Sequence, residues 1–311
     1  MFHFASLMNT LYYGDNLKIL RDHIKDSSTW LGYLITLILI VLTISGCDAQ
    51  VRKNIERLTS AQARLEANPN DEEALSTILK LLNDRNGINR ANAAAVLGHA
   101  AERVGGSIKD KALPPLIRLL DDGDAYDKRA AAKGISGFGV HAAAANPVLR
   151  KSLFPSDTDA ARYSALALGK IGGPAAIAVP DLLKVVEERS VDPEPLQIRE
   201  VATRSIGQIG RSAAGAAPRL MTLLGQASDP QFQIALEVAV IRIDPGNDKA
   251  VNAMERSMRS FDADDRGRLM YEMEDAGSES KPALRVIKAA RNDEDENVRN
   301  AANRLLKVIE N

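Results

Sequence analysis

Along most of the chain, apolar residues recur three and four positions apart, the spacing that lines one face of a helix. Leu113, Leu116, Ile117 and Leu120 form one such stripe; Val201, Ala202, Ser205, Ile206 and Ile209 form another. Short polar breaks separate the stripes: Asp121-Asp122-Gly123-Asp124, Asp157 with Asp159, Asp192-Pro193-Glu194-Pro195, and Asp293 to Glu296. An aspartate at such a place accepts hydrogen bonds from the unpaired N–H groups of a helix start and complements the helix dipole. Pro114, Pro147, Pro180, Pro218 and Pro282 recur between the stripes. Proline suits the first turn of a helix and breaks its interior, so each is expected to open a helix. The same reading predicts a charged helix within residues 48–70, broken by Asn68-Pro69-Asn70-Asp71. Further helices are expected from Glu72 to Leu82 and from Val298 to Ile309.

The stripes repeat as a unit. Arg90 leads to Gly98, Arg129 to Gly137, Arg199 to Gly207 and Arg299 to Lys307, always eight residues on; around Gly169 the arginine, Arg162, comes one residue late. Two weaker copies centre on Ile241 and Glu274, so the anchors recur every 32 to 39 residues. That period accommodates two helices and two turns, and no single pair buries its apolar face alone; stacking has to supply the core. The small members of the stripes let neighbouring helices approach. In this register Ala202 lies in a seam, and Ala202→Glu is expected to lower the melting temperature.

Composition agrees with thin helical layers. The 311 residues are 45% hydrophobic but only 4% aromatic, whereas a deep α/β core draws on large aromatic side chains. Lys+Arg (40) and Asp+Glu (41) balance to a formal charge of −1, which argues against a general nucleic-acid binder. The four histidines, His3, His23, His99 and His141, have no metal-ligand spacing, and the single cysteine excludes an intrachain disulfide. Asp262-Ala263-Asp264-Asp265-Arg266-Gly267 starts like a calcium loop, but Arg266 and Met273 stand where oxygen ligands are needed. Gly134, Gly137 and Gly139 continue an alanine-rich helix and are not expected to cradle phosphate. Ser136, Ser164 and Ser205 lie inside repeat helices without a histidine partner and are read as packing residues. No catalytic residue, cofactor site or metal site is expected.

The run Asp…Arg-x-x-Ala-x-x-x-Leu/Ile-Gly-x-Ile-Gly followed by Ala-x-Pro-x-Leu resembles the HEAT repeat, close to an armadillo-like, bilin-lyase-like subgroup; Ile171-Gly172 and Ile209-Gly210 match its ending. The resemblance covers about residues 71 to 309. It implies an all-α solenoid of about seven tandem helix-turn-helix repeats, forming a curved superhelix whose concave face commonly holds another protein. It also implies an inter-repeat ladder of Asp and Arg, with Arg90, Arg129, Arg199 and Arg299 in structural roles.

At the N-terminus, Trp30 to Ile44 is an uncharged apolar run of 15 residues. It is short for a spanning helix, which needs about 20, and suits a signal peptide. Ile44-Ser45-Gly46-Cys47 then resembles the bacterial lipobox, with the one cysteine at the required position. The resemblance implies lipidation of Cys47, cleavage just before it, and, from Asp48, retention in an inner membrane. The residues before the run depart from the signal-peptide pattern. Lys18, Arg21 and Lys25 are offset by Asp15, Asp22 and Asp26, which predicts a translation start downstream, near Leu17. An uncleaved membrane helix and a buried N-terminal helix are the alternatives. The expected organisation is therefore residues 1–46 as signal peptide or membrane segment, 47–70 as tether or capping helix, and 71–311 as solenoid.

The function that follows is a non-enzymatic, membrane-tethered scaffold in the bacterial cell envelope, a lipoprotein that binds other proteins along its helical surface. A bilin-lyase-like or chaperone-like accessory factor is the alternative from the resemblance. A nucleic-acid enzyme or binder is a third reading, opposed by the charge balance.

Overall fold

The computed structural model describes residues 49–154, 158–188 and 193–310. The apolar run at residues 30–44, the lipobox-like stretch and Cys47 lie outside the described residues. Two compact units divide the chain, 1–56 and 57–311, and the second carries the features below.

Among the described residues there are α- and 3₁₀-helices and no strand. A leading helix, α1 (Ala49–Ala67), precedes a succession of helix pairs. These are α2 (Glu72–Leu82) with α3 (Gly87–Val104), α4 (Lys109–Asp122) with α5 (Ala125–Ser136), α6 (Asn146–Lys151) with α7 (Thr158–Ile171), and α8 (Val179–Glu187) with α9 (Pro193–Ile209). Then follow α10 (Ala217–Leu224) with α11 (Pro230–Ile243), α12 (Asp248–Ser260) with α13 (Ala263–Ala276), and α14 (Leu284–Ala290) with α15 (Glu296–Glu310).

The starts of these helices follow from capping chemistry. Asp71, Asp124, Asp229 and Asp262 sit before α2, α5, α11 and α13, and each carboxylate accepts from the backbone N–H three residues on, at 2.8–2.9 Å. The acidic stretch that began like a calcium loop is thus the cap of α13. Asn86 and Asn247 cap α3 and α12 with their side-chain oxygens, which accept from the N–H groups of Ile88 and Ala250.

The prolines need a correction. Pro147, Pro180 and Pro218 open α6, α8 and α10 as expected. Pro114 lies with Pro115 inside α4, and Pro282 falls in the 3₁₀ segment Gly277–Ala283. The break after α3, α5, α7, α9 and α13 is made by glycine: Gly105, Gly139, Gly172, Gly210 and Gly277 all have positive φ, between 51° and 72°, a region that costs a residue with Cβ. A 3₁₀ segment follows each, so the chain is already wound before the next α-helix begins. Proline therefore has no single place it must occupy.

One hydrophobic core runs from Leu58 of α1 to Ile309 of α15. The second helices form the tighter layer: α3, α5, α7, α9 and α11 each pack along the next, and α13 packs along α15. Most first helices lean mainly on their own partner, but α12 leans on α11, the second helix before it. Small residues set the closeness. A Cβ at Gly98 of α3 would lie 2.7 Å from the carbonyl oxygen of Gly134 in α5 and 2.8 Å from its Cα. Between α9 and α11, Gly207 meets the Cα of Ala239 in the same way, at 3.0 Å. Ala202 is fully buried in α9, as its register requires. Each buried leucine such as Leu97 or Leu168 contributes about 2 kcal/mol by leaving water.

Candidate protein-interaction face

The arginine that leads each second helix builds the joint between repeats. Arg90 grips Asp127 of α5, Nη2 to Oδ2 at 2.6 Å and Nε at 3.0 and 3.1 Å. Its Nη1 donates to the carbonyls of Asp84 and Arg85, the loop before its own helix, both at 3.0 Å. Arg266 repeats the arrangement in α13. It pairs with Asp293 at 2.9 and 3.0 Å and donates to the carbonyl of Phe261 at 2.9 Å. Each guanidinium fork thus ties its own turn to the next repeat, and its fixed geometry suits the task better than a lysine ammonium. The pairing holds the guanidinium pKa above its ordinary value in both.

The ladder is incomplete. Arg129 reaches Asp159 of α7 at 3.2 Å, but the late-placed Arg162 pairs with that same carboxylate within its own helix, at 3.1 Å. Arg199 donates to the carbonyl of Val186 and lies over the ring of Phe232, 4.3 Å from its centre. Arg299, in the last helix, binds the carbonyls of Asp293 and Glu294, both at 2.7 Å. Opposite Arg199 in α11 stands an aromatic ring, Phe232.

Outside the joints, the second-helix face carries charges that reach across repeats. On α5 and α7, Arg129, Lys133, Arg162 and Lys170 stand together with Tyr126 and Tyr163. Arg129 lies 5.0 Å from the Tyr126 ring centre; Arg162 and Lys133 lie 4.8 and 5.9 Å from that of Tyr163. Asp159 lies among them, and Glu102 of α3 is 2.9 Å from Lys170. Burial, and then the charges of Arg129, Arg162 and Lys170, push the Lys133 ammonium pKa down against the pull of Glu102.

On α9, α11 and α13 the charges close on one another. Arg204 lies 3.3 Å from Glu200 and 3.0 Å from Glu272, so it spans the small residues of α11 to reach α13. Arg242 meets Glu279 at 2.7 Å, and Arg268 lies 4.0 Å from Glu200. Burial pushes the Glu200 carboxyl up, with Arg204 and Arg268 pulling it back. A pocket of about 20 Å³ lies between these helices, room for about one water.

Beneath this face one carboxyl is sealed in. Glu237 of α11 is 1% exposed, and Ser257 of α12 donates to its Oε1 at 2.7 Å. Burial raises its pKa to about 7. It is a core group without access to a substrate.

The serines singled out in the sequence are all buried: Ser136 and Ser205 donate to backbone carbonyls at 2.7 and 2.8 Å, and Ser164 is fully enclosed. Among the described residues no three of His, Cys, Asp and Glu come together as metal ligands. Among them, too, no helix is long and apolar enough to cross a membrane. The sequence reading identified the leading arginines but passed over Lys133, Lys170, Glu102 and Glu237. The signal for Lys133 was faint: a lysine one helical turn after Arg129.

No family model matches the chain, and neither does any curated protein. Solved structures do match. The complex of CpcE and CpcF of phycocyanin lyase from Nostoc sp. is 18% identical, with a TM-score of 0.54, over 76% of this chain and 93% of that one. An engineered protein is 21% identical, with a TM-score of 0.52, over 88% and 78%. A designed armadillo repeat protein is 18% identical, with a TM-score of 0.45, over 76% and 99%. At such identities the likeness is one of fold, and together with the paired helices and their single continuous core it makes this chain an all-α solenoid of the armadillo/HEAT-repeat type.

Proposed function

We propose that this protein is a non-enzymatic scaffold that docks another protein on the face formed by its second helices. The observation that carries the reading is the continuity of that face. Lys170 with Glu102, and Arg204 with Glu272, each join second helices on either side of an intervening one. A rigid surface several helices wide suits the docking of a folded or extended partner, since repeat stacks offer area in place of a deep pocket.

The second part of the proposal is a tether. The apolar run at residues 30–44 and the lipobox-like stretch ending at Cys47 support a lipoprotein of the bacterial cell envelope, held by acyl chains. The mass of the mature N-terminal peptide from the membrane fraction tests this: a lipid-modified peptide beginning at Cys47 is expected. An unmodified peptide, or one keeping residues before Cys47, would overturn the tether.

Docking is tested separately. A photo-crosslinking side chain at Tyr126, which is 43% exposed on α5, is expected to give a discrete protein adduct in intact membranes. The same group at Thr222, on the first helix α10, is expected to give none. Equal labelling from both positions, or none from Tyr126, would sink the scaffold reading for this face.

A further inference from the structure

Consecutive first helices are tied across the junction between repeats by ion pairs. Glu187 of α8 meets Arg219 of α10 at 2.6 Å, and Glu255 of α12 meets Arg285 of α14 at 2.8 Å. Pairs of the same kind join α2 to α4, α4 to α6 and α6 to α8. Between α10 and α12 the described residues form none: Arg219 reaches back to Glu187, and Glu255 reaches on to Arg285. The second helix here lacks the leading arginine too. Gln233 takes its place, eight residues before Ile241, and donates to the carbonyl of Ala227 in its own turn at 2.6 Å. Residues 244–247 then carry α11 straight into α12, without the positive-φ glycine and 3₁₀ segment that follow α3, α5, α7, α9 and α13.

The contact between α11 and α12 closes instead around a carboxyl. Glu237 of α11 accepts from Ser257 of α12 through Oε1, and its Oε2 is buried without a hydrogen-bond partner. Arg256 of α12 is the charge that bears on it. On the other second helices packed against α11, Glu200 and Arg204 of α9 and Arg268 and Glu272 of α13 pair with one another at the surface. As a neutral acid, Glu237 leaves one polar atom unmet. As a carboxylate it would put a charge in the core with a single hydroxyl to answer it. Ionisation therefore favours a state in which α11 and α12 part and water reaches the carboxylate.

We propose that the junction between α11 and α12 is a hinge of the solenoid, held shut by the Glu237 carboxyl in its neutral form and loosened when that carboxyl ionises. Opening separates α12 from α11 and draws α13 away from α9, so it acts on the second-helix face through the Arg204–Glu272 pair. The sign follows from burial, which lifts the carboxyl from its ordinary 4.5 to about 7 in the closed form. The open form, with the carboxyl in water, gives up its proton first. Opening is therefore expected to grow by about a hundredfold between pH 4.5 and pH 8, most of it below pH 7.

The test is amide hydrogen exchange of the full chain in non-ionic detergent across that range, corrected for the intrinsic pH dependence of exchange. Exchange in α12 and in the last turns of α11 is expected to rise with pH, while α5 and α7 do not follow. Glu237→Gln is expected to hold the exchange of α12 flat. An equal rise in α5 and α7 overturns the inference, since the whole chain is then unfolding. So does exchange in α12 that ignores pH, or a Glu237→Gln chain that keeps the rise. Melting curves show whether Glu237→Gln folds; if it does not, Ser257→Ala is read in its place. That change removes a hydrogen bond that draws the Glu237 carboxyl down, so the rise is expected to run on to higher pH. An unchanged profile there overturns the hinge.

Discussion

On α9, α11 and α13, Arg204, Arg242 and Arg268 each lie within 4.0 Å of a carboxylate from another helix or from their own. On α5 and α7, Arg129 and Arg162 share Asp159, Lys170 meets Glu102, and burial, then the charges of Arg129, Arg162 and Lys170, push the Lys133 ammonium down. The seams beneath the two regions differ as well. The α3–α5 seam is glycine against glycine, Gly98 on Gly134 and Gly137, whereas α13 presents Leu269, Met270 and Met273 to the core. The α3–α5 seam sets backbone against backbone, and α9 and α11 approach in the same way at Gly207 and Ala239; towards α13 larger side chains fill the core and the surface charge closes on itself. The same helix-pair framework tolerates both, because stacking depends on the buried positions and leaves the outer face free to vary.

The largest effect that would sharpen this contrast is expected at Gly98. Gly98→Val drives side-chain atoms into the Gly134 backbone, and backbone cannot move aside as a side-chain tip can. A loss of at least about 3 kcal/mol is expected, at or beyond the upper end for an overpacked core, read as a melting temperature many degrees lower. A small loss would mean that the α3–α5 seam is as compliant as the methionine-lined one.

Next comes Glu237, in the second region. Its folded pKa of about 7 exceeds the ordinary 4.5, so the folded state holds a proton that the unfolded chain releases as pH rises between those values. The group leaves stability untouched below about pH 4.5, and costs more and more up to about pH 7. Glu237→Gln keeps the size of the side chain and removes the titration. It is expected to raise stability by up to about 3 kcal/mol at pH 8, at about 1.4 kcal/mol per pKa unit, and to change little at pH 4.5. Melting curves of both proteins across that range measure it. Parallel curves would show that Glu237 is solvated.

A loss of about 2 kcal/mol is expected for Arg90→Ala, because Asp127, only 2% exposed, then keeps a charge with its arginine gone. Arg299→Ala, which breaks only bonds to two carbonyls, is expected to cost about half as much. Equal losses would show that the joint lies in the turn and that the reach to the next repeat adds nothing. The smallest effect is expected at Gly267 in α13. A Cβ there meets nothing nearer than Val298 at 3.9 Å, so Gly267→Ala should stabilise by about 0.5–1 kcal/mol through helix propensity. A loss instead would mean that this seam, too, requires glycine.

Much of the architecture was readable from the residues. Helix α2 begins and ends where its stripe does, Asp124 and Asp262 cap where an acid precedes a stripe, and Gly98 and Gly207 fall where helices approach. The misplaced prolines show the limit of such reading. Pro114 was expected to open a helix, yet a positive-φ glycine and a 3₁₀ turn had already wound the chain. The candidate face was legible only in part. Arg129 stood out by its repeat position, but Lys133 has no such marker, and its partners Arg162 and Lys170 belong to another repeat.

The sequence by itself determined what is local or periodic: the helices, their caps, the alternation of first and second helix, and the arginines that join repeats. These follow from forces acting within a few residues, and from a period that recurs along the chain. The tertiary structure alone decided which charges meet. Glu102 reaches Lys170 across 68 residues of chain, Arg204 reaches Glu272 over an intervening helix, and the Glu237 carboxyl is pushed up because the surrounding core shuts water out, against the pull of a hydrogen bond from a serine of the next helix. Electrostatic energy depends on distance and on access to solvent, and both are fixed only when the repeats stack.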